Sequence, residues 1–431
     1  MNKINIGLIG YGNVGSGLVK LLKERRNFIK EKFNTELSIK IVCDRSIQKK
    51  KPAGFSSAQL TTDYRNVVYN KDIHVVVELI GGLKPAETIA LESLRNGKHL
   101  VTANKELVAE KGKELFREAI KQNRNIYFEA SVGAGIPIIN AVTDGLAGNK
   151  FNGLYGIING TCNFILSEMT KTNCSFAHAL QEAQKKGYAE NNPTLDINGM
   201  DSVHKLAILT FLTIGKFVKP SEIFVEGITH IDHIDIEFAD SLNLRIKLLA
   251  IAKEVDNELE IRVHPTLIPK KHPLASVNGI FNALFLNTDP AGDILLYGQG
   301  AGQMAAASGV ANDLINLATR HSDNAATRIG NLSREFANVR LRKMDQIETK
   351  FYIRFMAVDR PGVLAKISGI LGQHGISISS LNQKLRHRSS AVPIVMLTHL
   401  AKEKMIRLAL EKINKLQIIK SKTIAIRMEN L

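Results

Sequence analysis

The fold of this chain is decided near its start, where Ile4–Gly15 reads INIGLIGYGNVG. An apolar, strand-like run leads directly into a G-x-G-x-x-G turn, and Val14, Leu18 and Leu22 then recur at helical spacing. A strand, a glycine turn and a helix in this order are typical of a dinucleotide-binding βαβ unit, whereas the glycine spacing alone is weak evidence. The alternative is a turn with a purely structural role.

The three glycines of this turn meet different geometric needs. Gly10 permits the tight turn, Gly12 lets a pyrophosphate approach the backbone, and Gly15 lets the helix pack on the strand. The phosphates would lie at the helix N-terminus, where free N–H groups and the helix dipole favour an anion. The predicted cofactor contacts here are Gly10, Gly12, Asn13, Val14 and Gly15.

The rest of the chain divides into stretches of different pattern. Strands and helices alternate over residues 1–140, which predicts an α/β Rossmann domain with a parallel sheet. Residues 141–320 mix long helices with strands and predict an α+β substrate and dimerisation domain, with a segment near 297–320 returning to the first domain. The polar stretch 321–349 is interpreted as a connector, and residues 350–431 repeat a smaller β-α-β pattern.

Composition argues against several classes of protein. The net charge is +16, but Lys and Arg are spread along the chain and there is no Trp, so nucleic-acid binding is not expected. No apolar stretch approaches the roughly 18 residues of a membrane helix, so no membrane contact is expected. The cysteines, Cys43, Cys162 and Cys174, are odd in number and lack metal-site spacing, which predicts a reducing, cytoplasmic location.

The end of the second predicted strand bears on the choice of dinucleotide. Asp44 would accept hydrogen bonds from a ribose 2′-hydroxyl, whereas Arg45 and Lys49–Lys51 would accommodate a 2′-phosphate. The extra lysines favour NADP, and NAD is the alternative.

A group of charged residues follows between Glu190 and Lys205. Asp201 and Lys205 are four residues apart, so on a helix they share one face, and Glu190 and Asp196 precede that helix in a Pro-containing loop. Carboxylates suit the ammonium group of an amino acid, and a lysine beside a carbonyl oxygen can donate a proton as hydride arrives. The alternative is an ordinary Asp–Lys helix pair, which contributes only a few tenths of a kcal/mol.

Four further segments, together with the glycine turn, resemble homoserine dehydrogenase. They are Thr102–Lys105, Glu129–Pro137, Asn159–Leu166 and Gly187–Leu206. They cover most of residues 1–210 in the family's order, and the last of them is the most specific. The resemblance implies reversible, NAD(P)-dependent hydride transfer between L-aspartate 4-semialdehyde and L-homoserine, in threonine, methionine and isoleucine biosynthesis.

The resemblance also implies roles for single residues. Lys205 would be the general acid/base on the substrate oxygen, and Lys105 would contact the cofactor or the substrate oxygen and share in proton transfer. The alternative for Lys105 is an exposed lysine at the start of a helix. Glu190 and Asp201 would bind the substrate, with Asp196 as a supporting carboxylate.

Further cofactor contacts are predicted at Arg45, Gly187 and Gly302. Gly302 ends a second glycine-rich loop, Tyr297–Gly302, which is similar to a family loop that returns to the cofactor. The Pro-Thr pair that follows in the family is replaced here by Met304–Ala306.

The segment Glu129–Pro137 implies, by the same resemblance, a site for a monovalent cation, Na⁺ or K⁺. The ligands would be the Glu129 carboxylate and backbone oxygens of Val132, Ala134 and Ile136. Hard oxygen ligands suit an alkali cation rather than zinc. The alternative is a tight turn in which the glycines serve backbone geometry only.

The last stretch, from Phe351 to Leu385, resembles an ACT domain, which has a ferredoxin-like βαββαβ fold. A strand leads into the turn Asp359–Gly362, followed by helical periodicity and a second strand. Such domains pair and bind small amino acids, so a homodimer or homotetramer inhibited by an amino acid, with threonine as the hypothesis, is expected. The alternative is a domain that only dimerises.

Two other functions compete with this interpretation. An acylating aldehyde dehydrogenase needs a nucleophilic cysteine, and neither Cys162 nor Cys174 lies in a matching motif. A non-catalytic amino-acid sensor that retains a Rossmann domain would lack the carboxylate–lysine group, which is present here.

Overall fold

A computed structural model of the chain describes residues 1–50, 52–319, 339–383 and 391–431. It contains two compact units, each assembled from separate stretches of chain. Unit one takes Met1–Asn152, Val203–Ile223 and the stretch that begins at Asn282. Unit two takes Gly153–Ser202, Phe224–Phe281 and Val339–Leu431.

Unit one begins with a parallel sheet of six strands. The strands are β1 (Asn2–Ile9), β2 (Thr35–Cys43), β3 (Leu60–Thr61), β4 (Val75–Glu78), β5 (His99–Thr102) and β6 (Ile126–Tyr127). The helices are α1 (Asn13–Glu24), α2 (Arg26–Phe33), α3 (Ile47–Lys50), α4 (Arg65–Val68), α5 (Ala86–Arg95), α6 (Lys105–Lys121) and α7 (Ile138–Asn140). The sheet order is β3-β2-β1-β4-β5-β6, with parallel pairing throughout, as predicted for a Rossmann domain.

Burial on both faces explains why the strands of this sheet are almost wholly apolar. Along β4, Val75 and Val77 pack in the same core as Leu18 of α1. Val76 points the other way and packs with Val67 of α4. The strand order reverses between β1 and β4, and the carboxyl ends of strands at such a reversal frame the ligand crevice of open α/β sheets.

The middle of the chain supplies most of unit two. The elements of this stretch are β7 (Lys150–Ile157), α8 (Gly160–Thr172), α9 (Phe176–Lys185), α10 (Thr194–Ile197), α11 (Met200–Ile214), β8 (Phe224–Val225), α12 (His233–Ser241), β9 (Leu244–Val255) and β10 (Glu258–Pro269). From Val203 onward, α11 belongs to unit one. β9 and β10 form a long antiparallel hairpin. Its turn residues, Asp256 and Asn257, have φ of 52° and 60°, which suits the twist of a two-residue hairpin.

The chain then returns to unit one through β11 (Phe281–Asp289), β12 (Gly292–Gln299) and α13 (Gln303–Thr319). The buried face of α13 completes the core beside α1 and β1, with Ala307, Val310, Leu314 and Leu317 in one cluster with Ile4 and Leu18. Asn2 Nδ2 also donates to Ala318 O at 2.9 Å. The segment predicted near 297–320 therefore contains a helix of the first domain's core.

The C-terminal part of unit two has the ferredoxin-like order of elements. They are β13 (Arg340–Leu341), β14 (Glu348–Ala357), α14 (Val363–Gln373), β15 (Ile378–Gln383), β16 (Val392–Thr398), β17 (Ala401–Lys402), α15 (Glu403–Ile413) and β18 (Ile424–Met428). The sheet order β18-β14-β16-β15 confirms the predicted βαββαβ fold. β18 also pairs in parallel with β10, through Thr266–Arg427 and Leu267–Met428.

The predicted domain boundaries stay predictions. Most of the predicted connector, 321–349, lies outside the described residues. The described C-terminal end of this stretch contains strands: β13 pairs with β10, and β14 begins at Glu348. Among the described residues, no helix has the length and apolar character to span a membrane.

Candidate active site

The glycine turn joins β1 to α1 and has little room for side chains. Gly10 has φ +102°, and a Cβ there would lie 2.7 Å from a neighbouring carbonyl oxygen. A Cβ on Gly15 would lie 2.1 Å from Gly10 O. At Gly12 nothing lies within 4 Å of the Cβ position, so open space faces the backbone that caps α1. Asn13 and Val14 start the helix at this opening, which fits a phosphate.

The second glycine-rich loop meets the first within unit one. Gln303 Nε2 donates to Ser16 Oγ at 3.0 Å, and a Cβ on Gly17 would lie 2.8 Å from Gln303 Cγ. Gly302 has φ +122°, which favours glycine. The loop that ends at Gly302 therefore lies beside the first turn of α1.

A cavity of about 500 Å³ opens beside the glycine turn, a usual size for a small-molecule site. It lies in unit one at the carboxyl ends of the strands. Its polar lining includes Gly10, Gly12, Asp44, Arg45, Ser46, Lys50, Thr62, Tyr64, Gly81 and Lys84.

Both oxygens of Asp44 at this cavity are already engaged. Oδ2 accepts from Tyr11 N (2.9 Å) and Lys50 Nζ (2.7 Å), and Oδ1 accepts from the backbone and hydroxyl of Ser46 (2.8 and 2.9 Å). Burial raises the pKa of Asp44, but the hydrogen bonds from Lys50, Ser46 and Tyr11 lower it by more, so the carboxyl is ionised at neutral pH. Asp44 therefore organises the turn, while Arg45 lines the cavity.

Lys105 is the first residue of α6, directly after β5. Asn104 caps the helix with its side chain and donates to a loop carbonyl oxygen at 2.7 Å. Glu78, fully buried at the end of β4, accepts from Thr102 Oγ1 at 2.6 Å, and burial raises its pKa despite this bond. Buried polar contacts therefore fix the backbone that presents Lys105 at the carboxyl edge of the sheet.

In unit two, one asparagine joins two of the predicted substrate carboxylates. Asn159 Nδ2 donates to Asp196 Oδ1 at 2.8 Å and to Asp201 Oδ2 at 2.9 Å. Its Oδ1 accepts from Cys162 N at 2.8 Å and caps α8. Cys162 is buried, and its thiol lies 3.1 Å from Asp196 O, which fits a packing role. The amide of Asn159 therefore holds two carboxylates together.

Asp201 and Lys205 lie one turn apart at the start of α11, on one face of the helix. Their exposed fractions are 7% and 9%. Because exposed Asp–Lys pairs are the common and weak kind, this burial argues against the alternative of an ordinary surface pair.

Gly187 and Glu190 lie in the exposed segment after α9. Gly187 has φ +72°, and its N–H donates to Gln184 O at 3.0 Å, so helix capping explains this glycine. The backbone oxygen of Glu190 accepts from Gln184 Nε2 at 3.3 Å. The cofactor role of Gly187 and the substrate role of Glu190 stay predictions.

The predicted cation segment is a buried turn. Glu129 accepts from Ile139 N (2.8 Å) through Oε1, and from the backbone N (2.9 Å) and side-chain amide of Asn140 through Oε2. Ile136 O accepts from Ile138 N at 2.7 Å. The other predicted ligand residues, Val132 and Ala134, are buried as well. Backbone and amide N–H groups therefore already occupy lone pairs on both oxygens of the carboxylate that a cation would use.

Sequence reasoning did not single out Asn159 or Glu78, although each left a signal. An asparagine directly before a helix is a strong N-cap, and Asn159 stands in that position. Glu78 is a carboxylate at the end of an otherwise all-valine strand, where a charge is rarely buried without partners.

The parallel sheet with its phosphate cradle defines a dinucleotide-binding enzyme of the Rossmann class. Family models narrow that class. A model described as "Homoserine dehydrogenase" matches residues 137–315, and one described as "Homoserine dehydrogenase, NAD binding domain" matches residues 10–129. A model described as "ACT domain" matches residues 351–417.

Relatives agree over the full length. The homoserine dehydrogenase of Neisseria gonorrhoeae is 42% identical across all of both chains, and that of Synechocystis is 39% identical across 99% of both. The solved structure of a homoserine dehydrogenase from Thiobacillus denitrificans is 40% identical, with a TM-score of 0.92 over 100% of this chain and 99% of that one. The chain belongs to the homoserine dehydrogenase family.

A more distant solved structure bears on the cofactor. It is a hyperthermophilic archaeal homoserine dehydrogenase in complex with NADPH, 28% identical, with a TM-score of 0.63. It matches 75% of this chain and 99% of its own. The protein is therefore a nicotinamide-dependent oxidoreductase with a C-terminal ACT domain.

Proposed function

We propose that in this homoserine dehydrogenase Lys205 moves the substrate proton, while Asp201 and Asp196, with Glu190, bind the amino-acid end of the substrate. The supporting observation is that Asn159 holds Asp196 and Asp201 together, one helical turn before a buried lysine. Carboxylates in this position suit the ammonium group that homoserine and aspartate semialdehyde share.

The proton and the hydride follow separate routes. In homoserine oxidation, the C4–H bond breaks with its electron pair, and the hydroxyl proton passes to Lys205 Nζ as the C=O bond forms. The glycine turn would hold the nicotinamide cofactor, which when bound would supply a hydride acceptor for this direction and a hydride donor for the reverse. Lys105, at the carboxyl edge of the sheet, would donate a hydrogen bond to the same oxygen and share in the proton transfer.

Replacing Lys205 with Met tests this assignment. We expect kcat to fall by about 10²–10⁴, the usual contribution of a positioned acid/base, with little change in cofactor affinity. The rate is followed at the absorbance band of the reduced nicotinamide, with homoserine and NADP. Lys219→Met, an exposed lysine beyond the same helix, is the control. Full activity in Lys205→Met would show that the proton leaves by another group, and Lys105→Met would then be measured.

We also propose NADP as the preferred cofactor. Asp44 is engaged by four hydrogen bonds, which leaves Arg45 as a cation on the cavity wall that can face a 2′-phosphate. Arg45→Ser should lower the ratio of kcat/KM for NADP over NAD by about tenfold, the effect of one charge-assisted hydrogen bond. Lys23→Ser, an exposed cation near the end of α1 that does not line the cavity, is the control. An unchanged ratio in Arg45→Ser would contradict the proposal.

The alkali-cation hypothesis receives less support. Glu129 is already bonded to N–H groups through both oxygens, so these residues do not fit a cation closely, and no step is assigned to it. Activity in equal ionic strengths of K⁺, Na⁺ and tetramethylammonium tests the point, and a requirement for one alkali ion would revive the site.

Threonine is proposed as the effector of the ACT domain, in a homodimer or homotetramer. The domain's fold and the family of the chain support an amino-acid ligand. Activity with and without threonine, together with light scattering, tests both parts. Activity insensitive to threonine would leave the domain a role in assembly. The cytoplasmic location stays a prediction.

A further inference from the structure

Arg427 is a buried cation of β18 whose partners reach beyond the C-terminal domain. The residue is 6% exposed. Its Nε and Nη2 donate to Glu403 at 2.9 and 2.6 Å, and its Nη1 donates to Glu226 Oε2 at 2.7 Å. Its guanidinium also lies 4.9 Å from the ring centre of Phe224. One side chain therefore ties the C-terminal domain to the segment 224–228.

That segment is held firmly on its other side. Phe224 and Val225 pair with β10, and Glu226 N donates to Val263 O at 2.9 Å. Because β10 is a twelve-residue strand paired along its whole length with β9, the segment has a rigid support. Arg427 holds the segment through two of its side chains, by the hydrogen bond to Glu226 and by the contact with the Phe224 ring.

The same segment packs directly against residues 196–201, here called the substrate loop. A Cβ on Gly227 would lie 2.2 Å from Ile197 O, and Ile228 N donates to Ile197 O at 2.9 Å. A Cβ on Gly199 would lie 2.9 Å from Val225 Cγ2. Residues 197–199 therefore rest on the backbone of 225–228 without space between them, and they join Asp196 to Asp201.

We propose that Arg427 is a positioning residue for the reaction. Through Glu226 it fixes the segment 224–228, and the backbone that joins Asp196 to Asp201 packs on that segment. The proposal rests on the substrate-binding role given above to those two carboxylates.

Three single variants and one double variant test the proposal in the full-length enzyme. We expect Glu226→Gln and Arg427→Gln each to raise KM for homoserine by about tenfold, because the charge pair between Glu226 and the buried Arg427 is broken. kcat should change by less than about threefold and KM for NADP should not change, since the cofactor site is untouched. Arg427→Lys should restore part of the homoserine KM. The double variant should resemble the more severe single variant, because both act through one contact.

Controls separate positioning from folding. Arg342→Gln removes an arginine of unit two that pairs with Glu258 and Asp256 at the hairpin turn, away from the substrate loop, and should leave KM for homoserine unchanged. If Arg427→Gln does not fold, Glu226→Gln still tests the link, since the Arg427–Glu403 pair remains. A homoserine KM within twofold of wild type in folded Glu226→Gln would overturn the proposal. An unchanged KM in Asp201→Asn would instead overturn the substrate-binding assignment.

Discussion

Asn159 is an uncharged residue that bridges the carboxylates of Asp196 and Asp201. It lies between two carboxylates that would otherwise repel each other, and each carboxylate accepts from the same amide nitrogen. Replacing it with Asp keeps the size and the helix cap but removes both donors and adds a like charge. We expect KM for homoserine to rise more than about tenfold, and the acidic limb of the kcat/KM profile to move to higher pH.

The control for Asn159→Asp is Ser175→Asp, which changes the N-cap of α9 and keeps a capping oxygen. Its pH profile should coincide with that of the wild type. An acidic limb unchanged in Asn159→Asp would mean that Asp196 and Asp201 do not set the pH dependence of substrate binding.

Lys247 allows a prediction about pH and stability. Its Nζ donates to uncharged acceptors, Asn163 Oδ1, Val277 O and Asn278 Oδ1, and burial lowers its pKa to about 7. The unfolded chain keeps the proton up to a pKa of about 10.4, so the burial penalty is full below pH 7 and fades as the pH rises. Relative to Lys247→Met, the wild type should gain roughly 2 kcal/mol of unfolding free energy from pH 6 to pH 9.

Urea denaturation at several pH values measures this difference. Lys270→Met removes a lysine paired with Asp240. The difference in unfolding free energy between this variant and the wild type should be the same at every pH from 6 to 9. A flat difference for Lys247→Met would show that the buried amine keeps its proton throughout.

At the residue scale, the sequence predicted which residues share a helical face better than it predicted which distant residues contact them. Asp201 and Lys205 were placed on one helical face by spacing alone, because helical geometry is local. Asn159 could not be assigned to them, because it lies 42 residues from Asp201 and meets it only after α8 and α11 pack.

At the scale of elements, the strand–turn–helix at Gly10–Gly15 gives a paired prediction. Gly15→Ala places a Cβ 2.1 Å from a backbone oxygen and should cost about 2 kcal/mol or more of unfolding free energy through strain. Gly12→Ala meets open space, so the fold should lose less than about 1 kcal/mol, while NADP should bind at least about tenfold more weakly because the methyl group occupies the phosphate's approach.

Thermal denaturation and cofactor titration, done on both variants, separate the two effects. Gly145→Ala, at a glycine with open space outside the turn, is the control for the change of residue type. Equal NADP affinity in Gly12→Ala and wild type would move the phosphate site away from this turn.

Element boundaries were predictable where periodicity is long and not where it is short. The helix predicted to carry Asp201 and Lys205 on one face is α11, which is fifteen residues long and begins one residue before Asp201. β8 and β13 have two residues each, too few to show any period, and their pairing with β10 depends on the packing of distant segments.

For the whole molecule, buried ion pairs connect the C-terminal end to the β9–β10 hairpin. Arg262 is 1% exposed and pairs with Glu260 and with Glu429, and Lys253 pairs with Glu429 at 2.8 Å. Glu429→Gln should therefore cost about 3 kcal/mol of unfolding free energy, as expected when one partner of a buried pair is removed. Denaturant titration measures it, with Glu411→Gln, in an exposed pair, as the control.

If Glu429→Gln loses no more unfolding free energy than Glu411→Gln, the network contributes little to stability. No pattern in the sequence indicated this network, since its members look like ordinary surface charges on a basic chain. Composition reports how many charges a chain has, whereas only the packed structure shows which of them are buried.

The position of α13 has a consequence for how the protein is made. The first domain's core needs Ala307, Val310, Leu314 and Leu317, so it cannot close when its own sheet strands have been synthesised. A ribosome must deliver the chain through Thr319 before β1 and α1 are covered on that face. The nascent chain therefore carries an open apolar surface through most of its translation, and chaperones that hold unfinished chains have a defined surface to bind.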